Sequence, residues 1–194
     1  MIDWKMMDRL KQGLFWLLLA PLASSAVQCT DLLDAASPIE AIGVYASAPG
    51  DGASYWYGID LWHAGDCYFG YLRATRSREG DAPAGIIVFR SASGDGAMTF
   101  TARLSDGVLD QGPDKPAVAA QDLFEFAGTF KRKQITGAFT HSELVRGTRP
   151  VTHAAKLILQ ADSARIISLS AKGTTFLAWN EDATALLRNY GPRW

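Results

Sequence analysis

A chain of 194 residues, 48% hydrophobic and 20% charged, carries enough apolar material for one ordinary globular core and too much of it for a disordered chain. Its 19 basic and 20 acidic side chains leave a formal net charge of -1. That balance supplies no positive field of the kind that holds phosphate backbones, so nucleic acid is excluded as a partner.

Residues 1–26 have the layout of a secretory signal peptide. Lys5, Arg9 and Lys11 precede the apolar run "LFWLLLAPLA", Leu14 to Ala23, and Ser24 and Ala26 are small residues at the -3 and -1 positions of a cleavage after Ala26. The run is about half the roughly 20 residues a bilayer-spanning helix needs, which favours a cleaved leader over a retained anchor. The expectation is an exported chain, periplasmic or secreted, with 27–194 as one domain and no membrane span after cleavage. Lipidation at Cys29 is disfavoured, because Gln28 stands where a lipoprotein signal wants a small residue. In an oxidising compartment the chain's two cysteines, Cys29 and Cys67, are expected to form a disulfide. It would close a loop of about 39 residues and contribute roughly 4 kcal/mol on the chain-entropy estimate.

Next comes "TDLLDAA", 30–36, where Thr30 is a possible N-cap for one or two helical turns. From Ile39 to Gln160 the apolar residues recur every second position, the period of half-buried strands. Tyr55, Tyr57, Ile59 and Leu61 alternate in this way, as do Cys67, Phe69 and Tyr71, then Met98 to Leu104, Phe124 to Phe130, and Ile135 to Phe139. Turn chemistry punctuates the runs: "PGDG" at 49–52, "HAGD" at 63–66, "REGDAPAG" at 78–85, "SGDG" at 93–96, "KRKQ" at 131–134 and "VRGTRP" at 145–150. The predicted strands lie near 40–46, 54–62, 67–76, 85–91, 97–104, 122–131, 134–144 and 153–160. Asp106 to Ala120 is the one long connection, expected as an exposed loop. Such an antiparallel meander of about eight strands tends to close into a small barrel, since closure removes unpaired edges. Beyond it, "ARIISLS" at 164–170 reads as a further strand, and Thr174 to Tyr190 as a C-terminal helix stopped by Gly191-Pro192.

The mainly β architecture is similar, by analogy, to that of the lipocalin-like ligand binders, and "GVY" at 43–45 echoes the glycine and aromatic of their first strand. The analogy is one of architecture and assigns no family.

Three groups of residues invite a chemical reading. His63, Asp66 and Cys67 fall within five positions, but Ala-Gly-Asp is the composition of a tight turn, and Cys67 is spoken for by the disulfide. His141 and His153 lie about Gly147, where a regular hairpin would make them cross-strand neighbours at the upper rim. With Glu143 in phase they form the one candidate metal site. His63, at the lower rim, is too far away to join them. Trp56, Trp62 and Tyr68 are read as the outward face of their hairpin, either an exposed patch or, more favoured, a face covered by the C-terminal helix. The "KRK" tip at 131–133 reads as a solvated turn. No P-loop, dinucleotide fingerprint, nucleophile elbow or zinc-protease motif occurs, and no cofactor is implied.

The leading expectation is a non-enzymatic binding or interaction domain, for a small apolar ligand in the barrel mouth or a protein at its rim. The alternatives are a metal-binding protein or enzyme using the His141, His153 and Glu143 edge, and a structural envelope protein whose barrel is filled.

Overall fold

A computed structural model describes residues 29–47, 55–76, 82–91, 95–110, 112–160 and 175–194. The expected leader 1–26, Gln28, the turn at 49–52, the first halves of the turns at 78–85 and 93–96, and the segment 164–170 lie outside the described residues.

The eight expected strands form within two residues of their predicted ends. They are β1 (Glu40–Ser47), β2 (Trp56–Ala64), β3 (Cys67–Thr75), β4 (Ala84–Arg90), β5 (Gly96–Leu104), β8 (Asp122–Lys131), β9 (Gln134–Glu143) and β10 (Val151–Leu159). The long connection is more ordered than an exposed loop, since β6 (Val108–Leu109) pairs with β7 (Val118–Ala119) as a small ladder of its own.

All the pairings are antiparallel, in the order β4-β3-β2-β1-β10-β9-β8-β5. Consecutive strands are neighbours within β1–β4 and within β8–β10, β5 pairs with β8, and the first and last strands meet through the Tyr45–Leu159, Ala46–Ile158 and Ser47–Leu157 pairs. The sheet curls until its two edge strands, β4 and β5, approach each other. A Cβ on Gly85 would sit 2.4 Å from the Arg103 carbonyl oxygen, although no ladder joins the two strands. The result is a nearly closed barrel whose seam falls in the middle of the chain.

Alternation places one residue in two inside. Tyr45, Tyr57, Ile59, Leu61, Leu72, Ile87, Met98, Leu104, Phe124, Phe130, Ile135, Phe139 and Leu157 are fully or almost fully buried and fill the interior. Tyr57 stacks on Phe139 at 4.1 Å and Phe100 on Phe126 at 5.2 Å. The small barrel is a packed core and not an open cup.

A second core lies outside the barrel wall. Helix α1 (Phe176–Tyr190) starts where the Thr175 hydroxyl accepts from the Ala178 amide, and it buries Trp179 and Ala183. Trp179 packs on Phe69 at 4.6 Å, on Tyr71 at 5.7 Å and on Trp62 at 6.3 Å. The helix thus covers Trp62. Trp56 remains half-buried, with its ring across Gly58.

Tyr68 corrects the expected face. The turn between β2 and β3 is the two-residue Gly65–Asp66, flanked by the Ala64–Cys67 pair, so the connection is two residues shorter than "HAGD" suggests. That register sets Trp62 against Phe69 and His63 against Tyr68. Tyr68 therefore points into the barrel with Phe89 and Phe130, while Phe69 and Tyr71 point out under the helix.

Cys29 and Cys67 are joined by a disulfide, with Cα atoms 5.5 Å apart. The N-terminal segment is a 3-10 turn, Cys29–Leu32, and not a capped helix from Thr30. A strap tied at the start of β3 leaves room for a single turn before β1 begins.

Candidate functional site

At the disulfide end of the barrel, the start of β1, the β2–β3 and β8–β9 turns, Ser91 and Asp95 surround a cavity of about 720 Å3. Glu40, Ile42, His63, Asp66, Tyr68, Ser91, Asp95, Phe130 and Arg132 line it, with Ala41 and Gly65. Its size falls within the usual range for small-molecule sites.

Each lining side chain is placed by a local feature. Gly65 takes φ +60, the left-handed conformation a tight hairpin requires, and the Asp66 carbonyl accepts from the Ser91 amide at 3.0 Å. His63, on the last turn of β2, approaches Glu40 Oε2 at 3.2 Å through Nε2 and the Gly65 carbonyl at 3.2 Å through Nδ1. Its ring stacks on Tyr68 at 5.4 Å, and Tyr68 stacks on Phe89 at 5.1 Å. Across the mouth, the Arg132 amide donates to Asp95 Oδ1 at 3.0 Å and the Tyr45 hydroxyl donates to the Arg132 carbonyl at 2.9 Å. The tip that carries Arg132 is thereby pinned from both sides.

The floor is apolar and aromatic, with Tyr68 and Phe130 buried beneath a charged rim. Burial pushes the Tyr68 hydroxyl above its usual value, and the carboxylates of Asp95 and Glu40 add to the shift. Tyr68 therefore stays a neutral donor at the base of the cavity.

The opposite end holds a buried polar network. His141 Nε2 donates to Asp122 Oδ1 at 2.7 Å, and Asp122 Oδ2 accepts the Asp106 amide at 3.1 Å. The imidazole lies on Phe124 at 4.6 Å and against Tyr55 at 5.1 Å. Arg76 Nε donates to the Tyr55 hydroxyl at 2.7 Å. Burial raises the Asp106 carboxyl above the usual carboxylate range, and neighbouring Asp122 raises it further.

The register separates the residues of the expected metal site. His141 faces Val151 and His153 faces Phe139, because the hairpin is centred on Arg146 and not on Gly147. A shift of one position in the centre moves every pair by two residues, so the histidines are diagonal and not opposite. Glu143 accepts the Val145 and Arg146 amides at 2.9 and 3.0 Å, capping the turn. Among the described residues no three His, Cys, Asp or Glu side chains are grouped to hold a metal. His63 is distant, as expected: Tyr55 touches His141, and His63 lies eight positions further along β2, roughly 25 Å away at the strand rise.

Two residues of these sites were hidden in the sequence. Arg132 looks like one charge of a solvated tip, yet in a meander that tip falls at the same end as Gly65–Asp66. Asp122 follows from a two-residue turn at Arg132–Lys133, which pairs Phe124 with His141 and sets Asp122 two pairs beyond, on the same face.

Comparison with family models, with curated proteins and with solved structures finds no match to the chain. Fold and chemistry are what its own residues supply.

Proposed function

We propose that the chain is an exported, non-enzymatic binding module whose ligand is a small polar molecule held at the disulfide end of the barrel. The observation that carries this reading is the cavity itself. A filled interior leaves no space for an apolar guest inside the barrel, whereas the mouth offers charged side chains over an aromatic floor. The disulfide fits an oxidising compartment, and no helix among the described residues is long and apolar enough to cross a membrane.

The test is an amide chemical-shift titration of the disulfide-bonded protein with small amines, carboxylates, amino acids and sugars. A binder is expected to move the Gly65, Tyr68 and Arg132 amides and to leave Asp122 and His141 still. Shifts confined to the opposite end, or none with any compound, would overturn the reading. A second reading, a structural domain without a ligand, is favoured by the filled interior, and an empty titration is the result it expects.

A further inference from the structure

Taking the mouth as the binding site, we infer that its ligand class is an extended zwitterion, a short peptide with free ends and an apolar side chain. The inference rests on how the topology distributes charge. In the strand order the β2–β3 turn and the β8–β9 turn are four strands apart in an eight-stranded barrel, so their tips stand on opposite sides of the mouth. One tip presents Asp66, with Glu40 beside it in register with His63. The other presents Arg132, between Lys131 and Lys133.

A cation alone would satisfy the Asp66 side and meet repulsion at Arg132. An anion alone would do the reverse. A molecule with an ammonium at one end and a carboxylate at the other satisfies both, the guanidinium being suited to a bidentate carboxylate contact. Between the two tips lie Tyr68, Phe130 and Ile42, an apolar strip with no charge to offer the middle of the ligand. An α-amino acid carries both charged groups on one carbon, too close together to be divided between tips on opposite sides of the mouth. Asp95 on the Arg132 side does not reverse the polarity, since Lys131, Arg132 and Lys133 on that tip outnumber its one carboxylate.

The test compares three compounds with one body: the dipeptide Ala-Phe, its N-acetyl form and its C-terminal amide, titrated while the mouth amides are followed. The dipeptide is expected to bind, and loss of either charge to weaken it tenfold or more. In R132Q the amide should bind as well as the dipeptide, and in D66N the acetyl form should do so, with both variants keeping the parent melting temperature. If a form with one charge removed binds the parent protein as tightly as the dipeptide, the zwitterion inference falls and the mouth remains the site. If none of the three moves the mouth amides, the inference falls, and a mouth that still responds to the other small molecules separates that outcome from failure of the site itself.

Discussion

Asp122 is the residue on which most of the polar structure at the end opposite the cavity depends, because its two oxygens serve two partners, the His141 ring and the Asp106 amide. Both Asp122 and His141 are buried, and removing one member of a buried, hydrogen-bonded pair leaves the other unsatisfied. Asp122→Ala is therefore expected to lower unfolding free energy by about 3 kcal/mol, read as a shifted denaturant midpoint with an unchanged slope. Its neighbour Asp106 behaves in the opposite sense. Burial raises its carboxyl, so between the ordinary carboxylate range and the raised value the folded state binds more protons than the unfolded chain. Its contribution to stability is present at low pH and is lost as pH rises through the raised value. Asp106→Asn should raise the melting temperature at pH 7, and the gain over the parent should shrink as pH falls through the raised value towards the ordinary carboxylate range. A gain that grows in acid would refute the assignment.

At the scale of elements, the hairpins decide which side chains meet. The strand set was legible because alternation in segments such as Met98 to Leu104 is unbroken. The helix was legible from its spacing and its Gly-Pro stop. Face assignment failed where turn parity was not carried across the hairpin, since the expected four-residue turn and the observed two-residue turn are both even. An even-numbered turn puts even positions of β2 against odd positions of β3, so Trp62 and Tyr68 cannot share a face. At 144–150 the connection is odd-numbered, so His141 and His153 keep one face, and the shifted centre of the hairpin sets them two residues out of register. The cavity was not legible, since it joins side chains from four places far apart in sequence: the start of β1, the β2–β3 turn, Ser91 with Asp95, and the β8–β9 turn. Helix α1 gives this scale its prediction. Trp179 closes the outer core over Phe69, Tyr71 and Trp62, so Trp179→Ala should cost about 3–5 kcal/mol and expose indole and phenol rings to solvent quenchers. Trimming exposed Leu177 on the same helix should change stability by less than about 0.5 kcal/mol.

For the whole molecule, the disulfide ties the N-terminal strap to the rim of the cavity. Replacing both cysteines with serine should lower unfolding free energy by roughly 4 kcal/mol on the chain-entropy estimate, read from the denaturant midpoint. The barrel itself should survive, because its ladders do not pass through the strap. A loss of strand signal in the reduced protein at room temperature would show that the strap does more than restrict the unfolded chain.

The seam between β4 and β5 has a kinetic meaning. Strands β1 to β4 form one local meander and β5, β8, β9 and β10 another, and among the described residues the one ladder between them is the short β1–β10 pairing. Every other ladder joins strands adjacent in the sheet meander, whereas Tyr45 must find Leu159 across most of the chain. Loop-closure entropy makes that contact late and weak relative to the hairpins. The two sheets can therefore assemble independently and then shut like a book, with β1–β10 as the spine. In the native protein the same line sets where the fold opens first: deuterium should enter the seam-facing amides of β4 and β5 before those of β8 and β9, whose amides are paired on both sides.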